Sequence, residues 1–136
     1  MSLFSFAQEF PPIVKYSASV YGAGNQSWMI SQDDENYLYF ANNDGLLEYN
    51  GTNWQLYPAP NETILRSVKV IGNKIYTGTY MNFGYWTRKS DGKLKYTSLS
   101  DKIKGKILDD EQFWNILKYD QWILFQSLNR IYIYDT

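Results

Sequence analysis

The 136-residue sequence has no cysteine and no histidine. The first absence excludes disulfides, thiolate nucleophiles and cysteine-ligated zinc. The second removes the Ser-His-Asp triad and the commonest transition-metal ligand, leaving carboxylates, lysine and tyrosine for acid–base work. The composition thus leans away from an enzyme, and no catalytic residue, metal or cofactor is expected. No apolar run approaches the roughly 20 residues of a membrane helix, so no membrane contact by this segment is expected either. Neither sign of charge dominates: 13 Lys and Arg stand against 14 Asp and Glu, for a net charge of −1. Without a basic excess, no nucleic-acid partner is expected. What is abundant is aromatic. Tyr (13), Phe (7) and Trp (5) make up 18% of the chain, within 44% apolar and 20% charged residues. That balance is globular, and the length suits one domain.

The aromatic residues fall in short alternating runs separated by turn residues. Residues 28–33, 37–41, 46–49 and 53–57 read as four strands, punctuated by Asn42-Asn-Asp-Gly45, by Asn50-Gly51 and finally by Pro58 and Pro60. The pattern recurs over 67–71, 74–78, 83–86 and 94–98, and again over 113–119, 122–126 and 130–134. Aligning Tyr39, Tyr76 and Ile123 gives steps of 37 and 47 residues, the longer one containing the insert 101–111. A repeat near 40–45 residues is the period of a four-stranded propeller blade. The expected fold is all-β, a partial β-propeller of two to three four-stranded antiparallel blades. Its repeats are approximately 25–60, 66–100 and 112–136, within a domain spanning 13–136. Residues 13–21 are expected to add a strand. Three blades do not close a ring, since propellers typically need about 4 to 8. The exposed strand edges are expected to drive self-association.

Residues 1–12 read as a leader remnant and lead-in. Phe4-Ser-Phe-Ala-Gln8 has the small-residue spacing of a signal-peptidase site, and an ordinary frayed terminus is the other reading.

Asn25-Gln-Ser-Trp-Met-Ile-Ser-Gln-Asp33, followed by the run from Tyr37 to Asn50-Gly51, resembles the two-component regulator propeller repeat. Shared features are the aromatic before Ile and Gln-Asp, the aromatic strand, Gly45-Leu46, and Asn-Gly. The second repeat departs from it, with Phe83-Gly-Tyr-Trp86 in place of Gly-Leu, and the third keeps only a loose echo. The resemblance implies the N-terminal part of an extracytoplasmic, periplasmic sensing domain, belonging to a membrane-anchored regulator of the hybrid histidine kinase type. It implies a non-catalytic role and a glycan or other small extracellular ligand. A protein-interaction or adhesion module, and a propeller-based glycan lyase or hydrolase, are the rival classes.

Candidate chemistry is sparse. Asp33-Asp-Glu35 and Asp109-Asp-Glu111 lack the alternating ligand spacing of a calcium loop and read as solvated turns. Lys102, Lys104 and Lys106 read as an exposed strand face. Asn25, Asn50 and Asn61 head Asn-x-Ser/Thr sequons but read as turn residues. Trp28, Tyr39, Trp54, Tyr76, Trp114 and Trp122 are expected in the core, while Tyr80, Phe83, Tyr85 and Trp86 form a candidate stacking platform. Loops joining second to third strands, and one repeat to the next, share one face. They carry Asn42, Asn43, Asp44, Glu62, Arg66, Tyr80, Met81, Asn82, Leu128 and Asn129. The candidate ligand-binding set is Asn42, Asn43, Arg66, Tyr80, Asn82 and Asn129, with Tyr80 as stacking surface and Arg66 as carboxylate partner.

Overall fold

The structure is a computed structural model that describes residues 10–103, 105–107 and 109–136. The leader reading at 1–9 and the reading of Lys104 lie outside the described residues. The chain is all-β, with three antiparallel sheets in sequence order. The first holds β1 (Ser27–Gln32), β2 (Leu38–Asn42), β3 (Gly45–Tyr49) and β4 (Trp54–Pro58). The second holds β5 (Ser67–Ile71), β6 (Lys74–Gly78), β7 (Phe83–Arg88) and β8 (Leu94–Ser98). The third holds β9 (Asn115–Tyr119), β10 (Trp122–Gln126) and β11 (Ile131–Asp135). Within each sheet every strand pairs with the next in sequence, so the turns alternate between the two ends of the sheet.

Alternation decides the packing. Successive side chains point to opposite faces of a strand, and in the second sheet both faces are apolar. Ile75 and Trp86 join Tyr39, Ala41, Leu46 and Val68 in a core against the first sheet. Tyr76 and Phe83 join Phe113, Ile116, Ile123 and Phe125 in a core against the third. The first strands meet across these interfaces: β1 contacts β5, β5 contacts β9, and the Val70 amide donates to Ser31 Oγ at 2.9 Å. Gly84 lets Tyr96 lie over β7, because a Cβ there would stand 2.6 Å from the Tyr96 hydroxyl.

Several expectations are corrected. Residues 13–21 add no strand; the chain turns into a one-turn helix, α1 (Ala18–Tyr21), closed by Gly22 at φ 67° with its amide on the Ala18 carbonyl. Its aromatic rings find a better use than pairing. Tyr16 and Tyr21 lie against Trp54 at 5.3 and 5.7 Å, and the Tyr16 and Tyr49 hydroxyls meet at 3.0 Å. Aromatic pairs of this kind contribute about 0.5–1.5 kcal/mol each. Tyr16→Ala is therefore expected to lower stability by about 1 kcal/mol, read from a denaturant midpoint, and to shift Trp54 fluorescence.

Lys102 lies in no strand either: Ser100–Ile103 forms a 3-10 turn, and Lys102 and Lys106 are exposed. Nor is Glu111 solvated. It is 1% exposed and accepts from Ser127 Oγ at 2.6 Å and Tyr132 OH at 2.7 Å. Of the expected core, Tyr39 and Tyr76 are buried and Trp54, Trp114 and Trp122 half-buried, whereas Trp28 is exposed. The third sheet keeps a bare apolar far face that includes Leu117, Ile131 and Ile133.

Candidate functional site

One end of the three sheets gathers the β2–β3 turn, the β4–β5 link, the β6–β7 turn and the β8–β9 link. Each is shaped locally. In the first turn Asn42 is fully buried, its Nδ2 donating to the Gly24 carbonyl at 2.7 Å and to Ser27 Oγ at 3.0 Å. Its Oδ1 accepts from the Asp44 amide, and Gly45 lets the Tyr57 carbonyl come within 2.2 Å of where a Cβ would stand. With Asn42 so committed, the half-buried Asn43 is the asparagine of the turn left to line the surface, beside the exposed Asp44. Asn43 accepts a hydrogen bond from Trp28 Nε1 at 2.9 Å.

Arg66 immediately precedes β5, held by its amide on the Gly78 carbonyl at 2.8 Å. Its guanidinium carbon lies 4.5 Å from the ring centre of Trp28 and 4.7 Å from that of Trp114. The two indoles are edge-to-face at 5.8 Å. Nε donates to Gln112 Oε1 at 2.6 Å. Cation–π contact is strongest on tryptophan, so the two rings hold the guanidinium in their corner. Burial pushes its pKa below the ordinary arginine value. Tyr80 bridges to Gln112 and keeps its ring partly exposed. Met81, at φ 57°, turns the chain back with its amide on the Glu111 carbonyl at 2.7 Å.

Together Asn43, Glu62, Thr63, Ile64, Arg66, Tyr80 and Gln112 line an open depression of about 320 Å³. Three residues expected at a site, Asn43, Arg66 and Tyr80, are thus brought together. Asn42 is beneath the surface. Asn82 lies to one side, its side chain taken by Tyr96 OH and Ser98 Oγ. Asn129 is exposed in the β10–β11 turn, and its amide is on Ser127 Oγ. Of the stacking platform, Phe83 and Trp86 are buried and Tyr85 sits under the Lys74 ammonium, 4.4 Å away, which leaves Tyr80. Sequence reading missed Gln112, and placed in the core the two tryptophans that hold Arg66. Their signal was position: Trp28, Arg66 and Trp114 all stand at the start of the first strand of a repeat.

At the opposite end a second depression, about 330 Å³, lies between the first two sheets. Its cation is already satisfied. Arg88 pairs with the buried Glu48 and donates to Tyr39 OH at 3.0 Å, and Tyr39 donates to Asp33 at 2.9 Å.

No protein-family model matches the chain, and none of the curated proteins does. Among solved structures it is similar to the extracellular domain of the putative hybrid two component system BT4673 from B. thetaiotaomicron. The match has a TM-score of 0.60 at 20% identity, over 80% of this chain and 14% of that one. At this identity the likeness is one of fold: all-β, in successive antiparallel sheets. The chain spans about one seventh of the length of the structure it resembles.

Proposed function

We propose that this chain forms consecutive blades of a propeller-type ligand-sensing domain in an extracytoplasmic two-component receptor, and that it binds its ligand without transforming it. The observation that carries the reading is convergence. Trp28 and Asn43 from the first sheet, Arg66 and Tyr80 from the second repeat, and Gln112 and Trp114 leading into the third meet around one open depression. A site assembled from successive repeats suits a receptor, because a ligand spanning the repeats binds the arranged state better than a loosened one. That differential affinity is what a signal requires. The depression is at the small end of ligand-site volumes, with one exposed ring and several polar groups. Among the described residues, Glu62 is its one carboxylate lining, short of the acid–base pair a glycosidase needs. The fold likeness to an extracellular domain of a two-component system supports the same class and a periplasmic location.

Titration of the chain with cellobiose, lactose, maltose and the corresponding uronates, followed by tryptophan fluorescence, tests this. At least one saturable response is expected, weakened roughly 10-fold in Tyr80→Ala, a loss of about 1.4 kcal/mol. Tyr80 is 37% exposed, so its truncation is expected to cost no more than about 1–2 kcal/mol, which leaves the chain folded for the titration. Release of new reducing ends from a polysaccharide would overturn the reading in favour of an enzyme. A stable complex with another protein, and no response to any sugar, would favour an interaction module.

A further inference from the structure

We propose that the ligand of this depression presents a carboxylate to Arg66, so that the site selects an acidic ligand over its neutral counterpart. This inference rests on the binding role proposed above and adds the chemical class.

Arg66 differs from the other partly enclosed cation. Arg88 has its counterion within the chain, in Glu48. Among the described residues Arg66 has two indoles and one amide but no carboxylate within ion-pair distance. A half-buried guanidinium has lost part of its hydration, so a missing counterion leaves it short of interaction. The geometry also limits how a partner arrives. Trp28 and Trp114, edge-to-face and 5.8 Å apart, form a corner around one side of the guanidinium at 4.5 and 4.7 Å, so a partner arrives from the side they leave open. Nε is engaged by Gln112, and no described residue accepts from either terminal nitrogen. Two terminal nitrogens in one plane match the two oxygens of a carboxylate, whereas a neutral hydroxyl satisfies one donor. Lysine would offer neither the plane nor the paired donors.

Glu62 refines the choice of anion. It lines the same depression without an ion pair to Arg66, so a dianion such as sulfate meets more repulsion there than a monoanion. The same carboxylate can accept hydrogen bonds from ligand hydroxyls, and Tyr80 offers a ring beside it. A hydroxylated monocarboxylate, with the acid on Arg66 and hydroxyls toward Glu62, uses all three groups.

The test is titration of the folded chain at low ionic strength with two matched pairs, glucuronate against glucose and galacturonate against galactose, and with inorganic sulfate. The readout is fluorescence of the tryptophans beside Arg66. At least one uronate is expected to bind about 10-fold more tightly than its neutral partner, and more tightly than sulfate. Arg66→Met is expected to abolish the preference and Arg66→Lys to retain part of it. Independently of any variant, added salt is expected to weaken uronate binding and leave neutral binding unchanged. Equal affinities within both pairs would overturn the carboxylate inference and leave the sensing role standing, as would sulfate binding more tightly than the uronates. A chain that binds none of the sugars or uronates, here or among the disaccharides above, would overturn both.

Discussion

Phe113→Ala is expected to cost about 3–5 kcal/mol, the range for removing a fully buried aromatic side chain. Phe113 precedes β9 and is 0% exposed. Its ring meets Phe83 at 4.7 Å and Tyr132 at 5.4 Å, both edge-to-face, while its amide donates to the Thr79 carbonyl at 3.1 Å. Its carbonyl accepts from the buried Ser67 Oγ at 2.8 Å. One residue thus locks the start of the third sheet into both the core and the backbone of the second. Domains of this size are stable by about 5–15 kcal/mol, so the loss is a large part of the total. Gly78 faces the same residue. A Cβ on Gly78 would stand 2.6 Å from Phe113 Cβ and Ser67 Oγ, and 2.8 Å from the Phe113 carbonyl. Gly78→Ala is therefore expected to cost about 1–3 kcal/mol as an overpacking change. Because every one of those close atoms survives truncation of the ring, Phe113→Ala should not rescue Gly78→Ala. Urea midpoints of the two single variants and the double variant check this; a double variant more stable than Gly78→Ala alone would contradict it.

The strands were the most legible part of the molecule, for a physical reason. Period-two alternation and Asn, Asp and Gly at the turns are local signals, and each strand of the second sheet begins and ends within two residues of its expected position. The lead-in shows where local signals stop. Ile13, Val14 and Val20 have strand propensity but remain exposed, while Tyr16 and Tyr21 go to Trp54, some 33 to 38 residues away in the chain. The site divides the same way. Asn43, Arg66 and Tyr80 were legible because the repeat assigns their loops to one end. Asn42 and Asn43 are chemically identical neighbours, and only the turn geometry decides which is buried. Trp28 was assigned to the core on side-chain type. Its exposure reflects a role that its sequence neighbours do not reveal: covering one face of an arginine 38 residues later, whose Nε bonds to Gln112, a further 46 residues on.

The same aromatic wealth is expected to weaken the fold at alkaline pH. Burial is the first cause that raises the pKa of Tyr39, Tyr57, Tyr76, Tyr96 and Tyr132, with Tyr76 pushed up to about 12. At Tyr39 the hydrogen bond to Asp33 acts in the same direction, and at Tyr132 the bond to Glu111 does so. An unfolded tyrosine ionises near pH 10. Below that value both states keep the proton, and the contribution of these phenols to stability is fully present. Above it the unfolded chain releases protons that the folded chain still holds, so each rise in pH favours unfolding. The slope is about 1.4 kcal/mol per pH unit for each phenol that stays protonated only in the fold. Stability is expected to be flat with respect to these groups up to about pH 9.5 and to fall steeply between pH 10 and about 12, where Tyr76 ionises in the fold. Several phenols act together, so the loss by the end of that window is expected to be a sizeable part of the fold's stability. Tyr76→Phe removes one of them and is expected to make the alkaline fall shallower without altering its onset. Absorbance at about 295 nm should show fewer than all 13 tyrosines titrating while the chain stays folded. The remainder should appear together with loss of β-sheet circular dichroism. Thirteen tyrosines titrating near pH 10 in a chain that keeps its sheet signal would contradict the account, because it would mean that these rings are not withheld from water by the packing between the sheets.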